Sequence, residues 1–92
     1  MFFLRRSKKF KKDFKRLLKN SEFHLEKLQE VLTVIVGGQK LNAKYCAHAL
    51  SGKYRGCFEC HVQPDILLIY EIDDKEMVVD LLRLGSHAEL FK

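Results

Sequence analysis

The chain has 92 residues, and a length this short cannot divide into two parts that each bury enough apolar surface to outweigh folding entropy, so a single domain over residues 1–92 is expected. Apolar residues make up 47% and there is one proline, which excludes a disordered or linker-rich chain. The net charge is +5, but residues 1–20 hold nine Lys or Arg against Asp13 alone while the remainder is net acidic, so the basic surface is local and points to a polyanionic partner.

Taken in chain order, Met1-Phe2-Phe3-Leu4 precedes the dense basic stretch, the reverse of a signal peptide, and Phe2 to Leu4 has the makings of a short strand. No apolar run approaches the ~20 residues that span a bilayer, so no membrane role is expected. Three cysteines form no disulfide framework, which points to a reducing cytoplasm. Ser7 fits an N-cap, followed by Phe10, Phe14, Leu17 and Leu18 at helical spacing. Asn20 and Ser21 can cap a second helix, in which Leu25, Leu28, Leu32 and Ile35 repeat until Gly37-Gly38 stops it.

Residues 39–51 are irregular. Three β segments follow: 53–62 alternates, 66–72 is nearly all apolar and reads as a central strand, and 77–84 is the third. Gln63-Pro64-Asp65 and Asp73-Asp74-Lys75 supply the turns. In the closing segment Ser86 and Glu89 have capping-box spacing, which predicts a helical turn with His87 and Phe91 on one face. The expected fold is α+β, an N-terminal helical hairpin packed on a small twisted antiparallel sheet.

Strand geometry over 53–62 puts Lys53, Arg55, Cys57, Glu59 and His61 on one face. Two cations, a carboxylate and an imidazole are the equipment for binding a phosphodiester and moving protons around it, although a solvated strand face has the same composition. Arg83 stands near the end of the third strand, four residues before His87. Cleavage of RNA without a metal needs a base for the ribose 2′-hydroxyl, an acid for the leaving 5′-oxygen and cations for the phosphate; His87 suits the acid and Glu59 the base. Against this, Arg83 can simply pair with an acid, and a histidine so near the end of the chain can simply be exposed. His48 fits an exposed loop or a cleft equally, Asp65 reads first as a turn residue, and His24 receives no role.

Cys57-Phe58-Glu59-Cys60-His61 matches C-x-x-C-H formally. Haem attachment needs an exported chain, zinc needs a second ligand pair, and in a strand the two cysteines would point to opposite faces. No metal or cofactor is expected, and Cys60 reads as a buried small apolar residue.

Three stretches together, His48-Ala49-Leu50-Ser51-Gly52-Lys53-Tyr54-Arg55-Gly56, Glu59 through Tyr70, and Leu82 through Phe91, closely resemble the YafQ-like toxins of the RelE/ParE superfamily. The resemblance implies a helical hairpin on an antiparallel sheet and a type II toxin that cleaves messenger RNA, commonly on the ribosome. It implies His87 as general acid, His48, His61 and Asp65 as further members of the acid and base set, Lys53, Glu59 and Arg83 as functional, and Phe91 as an aromatic that stacks on a base. Which group is the base stays open, with Glu59 and Asp65 both available. It further implies an antitoxin partner with an acidic or wrapping segment, through which alone the complex meets operator DNA. Relatives often carry an aromatic and then an arginine before the acid of the first sheet strand, where this chain has Cys57-Phe58; Arg55 stands on the same predicted face as a substitute cation. Two alternatives keep the fold or the charge without the chemistry: a ParE-like toxin that inhibits DNA gyrase, and a plain nucleic-acid-binding module.

Overall fold

A computed structural model describes residues 1–91. The elements run β1 (Phe3–Arg6), α1 (Lys8–Leu17), α2 (Leu25–Val36), a 3₁₀ turn (Ala43–Tyr45), β2 (His48–Ala49), a second 3₁₀ turn (Gly52–Tyr54), β3 (Phe58–Gln63), β4 (Ile66–Asp73), β5 (Val78–Gly85) and α3 (His87–Leu90). The sheet order is β1-β5-β4-β3-β2.

The meander β3-β4-β5 is antiparallel, as its alternation and turns predict. The sheet as a whole is mixed, because β1 runs parallel to β5 from Phe3–Val78 to Arg6–Leu81. The expectation of an N-terminal helical hairpin on an antiparallel sheet is corrected accordingly: the chain starts with a strand, and the helices follow it. A parallel pair needs a long crossover, and α1 through β4 supply it.

α1 starts where Ser7 accepts from the Phe10 N–H at 3.0 Å and donates its hydroxyl to the Leu82 carbonyl at 2.9 Å, fixing the helix to β5. Its buried side is Phe10, Asp13 and Leu17, with lysines elsewhere. The cap of α2 is not Asn20 or Ser21. Asn20 instead accepts from the Glu22 N–H, and α2 begins after His24 with no side-chain cap. Buried Gln63 substitutes for one by accepting from the His24 N–H at 2.8 Å and donating to the Glu22 carbonyl at 3.0 Å. Gly37 ends α2, as expected.

One core lies between α1, α2 and the sheet and includes Phe10, Leu28, Val31, Cys60, Leu68, Tyr70, Leu81 and Leu84. Strand alternation turns Leu67 and Ile69 to the opposite side, where Cys57 and Leu90 join them, with Leu50, Tyr54 and Leu82 packed against the group. The two cysteines therefore do fall on opposite sides, and Cys60 is fully buried. No described helix is long and apolar enough to cross a membrane.

Candidate active site

The register across the meander brings four residues into one row, His48–Glu59–Ile69–Arg83, over β2 to β5. The next row is His61–Leu67–Gly85. Adjacent strands lie ~4.8 Å apart, so Glu59 and Arg83 stand about 10 Å from each other, with the small second core between and around them.

His48 lies on a strand, outside the reach of the periodicity argument because β2 is only two residues long. Its Nε2 is 3.1 Å from Glu59 Oε2, and its Nδ1 is 2.8 Å from the Cys46 carbonyl, so Nδ1–H is the donor there. Cys46 adopts a left-handed turn (φ 50°) that aims this carbonyl. Glu59 is buried while His48 is about half exposed, which leaves the pair open to solvent on the imidazole side.

The second group gathers around α3. Its capping box forms as the sequence predicts, with Ser86 Oγ accepting from the Glu89 N–H and Glu89 Oε1 from the Ser86 N–H. This turn exposes His87 and lays its ring on Phe91, centroids 4.7 Å apart. Tyr54 meets Phe91 edge-on at 5.8 Å, and Lys53 Nζ sits 5.4 Å above the Tyr54 ring. Tyr54, to which sequence reasoning assigned no role, also packs against the second core and accepts a hydrogen bond from the Arg83 side chain.

The expected single face of Lys53, Arg55, Cys57, Glu59 and His61 does not form. Residues 52–56 leave the extended conformation, with Gly52 at φ 67° and Gly56 at φ 91°, backbone that L side chains rarely adopt. Only Glu59 and His61 share β3. Lys53 is carried into the α3 group, Arg55 is exposed in the loop and is no substitute on the strand face, and Phe58 stacks on Tyr70. His61, just before a register shift in β3, borders a cleft of about 420 Å³ with Lys27, Lys44, Tyr45 and Cys46. Asp65 is exposed in the β3–β4 turn, at the same end of the sheet as Gly85 and therefore near the start of α3.

Arg83 does pair with an acid. Its Nε and Nη2 reach Asp13 Oδ2 and Oδ1 at 2.8 and 3.2 Å. Burial pushes the Asp13 carboxyl up, but hydrogen bonds from Arg83, the Leu84 N–H and Arg16, with the Arg83 charge, more than reverse this and hold it below the ordinary carboxylate value. A depressed pKa stabilises the fold above the ordinary carboxylate range, and that stability is lost as pH falls through the native value. The melting-temperature gap between wild type and Asp13→Asn is therefore expected to narrow as the solution is acidified from about pH 7 to about pH 3. A constant gap would remove this assignment. The signal that could have revealed Asp13 was its place on the apolar side of a helix otherwise surrounded by cations.

Cys60 is pushed up to about 12 by burial and then by the Glu59 charge; burial and then Glu71 raise Cys57. Cys46 is exposed. Brief iodoacetamide treatment of the native protein is expected to add one adduct, at Cys46, and three after denaturation, read by intact mass. Native modification of Cys57 or Cys60 would contradict the packing.

A mixed sheet with helices on one side, and imidazole, carboxylate and guanidinium groups along the other and its open end, describes a small α+β protein with the side chains for phosphodiester chemistry. Residues 3–92 match the family model for YafQ, a bacterial toxin of type II toxin-antitoxin systems. The mRNA interferase toxin YafQ of Escherichia coli K12 is 35% identical over 86 residues, covering 92% of this chain and 90% of that one. A metal-bound toxin from Helicobacter pylori superposes with a TM-score of 0.92 at 45% identity, covering 99% of this chain and 100% of that one. YafQ from the E. coli DinJ-YafQ complex superposes with a TM-score of 0.88 at 31% identity, each chain covered fully. The chain belongs to the YafQ family of type II toxins.

Among the described residues no group of three or more His, Cys, Asp or Glu side chains is placed to hold a metal ion.

Proposed function

We propose that this chain is an endoribonuclease that cleaves messenger RNA on the translating ribosome, in the cytoplasm, by attack of the ribose 2′-hydroxyl on the adjacent phosphate, and that an antitoxin holds it silent. The identity of the E. coli relative as an mRNA interferase selects RNA as the polyanion. The observation that carries the chemistry is the placement of an imidazole–carboxylate pair, His48–Glu59, in one sheet row with Arg83, and of exposed His87 just beyond that row's end.

In this reading the His48–Glu59 pair, acting as a unit that exchanges one proton, takes the 2′-hydroxyl proton, and the 2′-oxygen forms a bond to phosphorus. Arg83 and Lys53 offset the charge that grows on the phosphate oxygens. His87 protonates the leaving 5′-oxygen as its bond to phosphorus breaks, giving a 2′,3′-cyclic phosphate and a 5′-hydroxyl. Phe91, in tilted contact with His87 and braced edge-on by Tyr54, offers a face to a base. His61 and Asp65 remain candidates for secondary proton transfer or substrate contact at the flanks.

The DinJ–YafQ complex supports an antitoxin partner for this chain, and the basic surface of α1 suits an acidic or wrapping segment of it. Operator DNA would be met through that complex.

The end groups of the RNA products test the reading. Cleavage in excess EDTA that leaves 5′-hydroxyl and cyclic-phosphate ends, and is blocked by a 2′-deoxy residue at the cut site, is expected. Products with 5′-phosphates, or loss of cleavage on chelation, would overturn the mechanism.

A further inference from the structure

Asp13 is the one acid among the nine cations of residues 1–20, yet its carboxylate is buried, 3% exposed. The pairing of β1 with β5 stops at Arg6–Leu81. Beyond it the Leu84 N–H donates to Asp13 Oδ2 at 3.0 Å, so α1 caps the edge that β1 leaves open. The same carboxylate holds the Nε–Nη2 edge of Arg83 and accepts from Arg16 Nη1 at 3.2 Å.

The chain of charges continues. Arg16 Nη2 lies 3.1 Å from Glu89 Oε2, and Glu89 Oε1 caps the Ser86 N–H one residue before His87. Gly85 makes room for this crossing, since a Cβ there would stand 3.1 Å from Glu89 Oε1 and 3.2 Å from Arg16 Nη2. Alternating charges Glu89–Arg16–Asp13–Arg83 thus tie α1, β5 and α3 together. Burying a carboxylate is costly, and for stability alone a well-packed apolar residue often does as well. What an apolar residue cannot do is orient a guanidinium.

We infer that Asp13 is a positioning residue: by holding the Nε–Nη2 edge of Arg83 it fixes the orientation in which that guanidinium meets the phosphate. This rests on the ribonuclease reading above. Asp13 touches no substrate and acts through Arg83.

The test is a double-mutant cycle of wild type, Asp13→Asn, Arg83→Met and the pair, measured as RNA cleavage well below all four melting temperatures. Asparagine keeps the size and an acceptor for the Leu84 N–H. Asp13→Asn is expected to lower kcat about 10- to 100-fold with KM nearly unchanged, because a small misplacement of a charge-stabilising group has costs of that order. On the Arg83→Met background the further loss is expected to stay below about threefold, since a residue that works through Arg83 has nothing left to position. Losses that multiply, as a general structural role gives, or an Asp13→Asn protein as fast as wild type would overturn the inference. If Asp13→Asn fails to fold, Asp13→Glu, which keeps the charge and shifts it by one methylene, takes its place in the cycle with the same expectations.

A second readout does not depend on activity. The Arg83 Nε–H resonance is expected to exchange slowly with solvent in wild type and rapidly in Asp13→Asn; rapid exchange in wild type would overturn the clamp. A wild type with a protected Arg83 that cuts no RNA would instead sink the ribonuclease reading.

Discussion

Replacing His87 by alanine is expected to lower kcat for RNA cleavage by about 10²- to 10⁴-fold, the usual cost of losing a general acid. The argument is positional. His87 is exposed at the first residue of α3, and its ring contacts only Phe91 among the interactions described. The capping box that forms the turn uses Ser86 and Glu89, so the backbone there does not depend on the imidazole. Stability should therefore stay within about 0.5 kcal/mol of wild type, as for other surface substitutions. Affinity for RNA, which the proposed mechanism assigns to Lys53, Arg83 and Phe91, should change little. Cleavage kinetics under single-turnover conditions, beside a melting curve, check both halves. A mutant that cleaves normally would remove His87 from the mechanism, and one that melts far lower would show that its effect is structural.

Leu68→Ala should do the reverse. Leu68 sits in the middle of β4, the central strand, pairs with Cys60 and Leu84 in register, and is fully buried. Truncating such a leucine removes its transfer free energy and leaves a cavity, about 2–5 kcal/mol together. Small domains hold only about 5–15 kcal/mol in all. Each kcal/mol shifts the midpoint of a domain this size by roughly 4–8 °C, so the melting temperature should fall by at least about 8 °C. At low temperature the molecules still folded should cleave at the wild-type rate, because Leu68 faces the helices and not the row of His48, Glu59 and Arg83. Calorimetry with parallel kinetics decides: an unchanged midpoint would contradict the packing, and a slower rate per folded molecule would couple the core to the site.

These two residues also mark what could be read from the sequence. Ser7, the apolar spacing of α1, the all-apolar run of β4 and the Ser86–Glu89 box are local signals, each complete within a few residues, and each is found where it was expected. β1 is different. Phe3 to Arg6 is stabilised by a strand some 75 residues away, and no local period encodes a parallel partner at that distance. The same limit hid β2, whose two residues are held by β3 and carry no alternation of their own.

The candidate site divides along the same line. His87 and Phe91 share a face because helical geometry requires it, and that was legible. The alternation counted from Lys53 was real as a pattern but spurious as a strand, because Gly52 and Gly56 at positive φ wind the backbone into a turn; the five-residue polar face shrank to Glu59 and His61. Glu59 then acquired its partner, His48, from a strand that only the sheet creates. Asp13 was visible as an anomaly of charge, but its target, Arg83, is 70 residues away.

The measurement that bears most directly on the central claim is a map of messenger RNA 5′ ends in cells after the wild-type chain is induced without an antitoxin. Growth arrest is expected together with discrete new ends bearing 5′-hydroxyl groups within translated regions, all absent when the His87→Ala chain is induced. Arrest with intact messenger RNA, above all if it persists in His87→Ala and DNA supercoiling changes, would contradict it and favour a gyrase-directed toxin on the same fold.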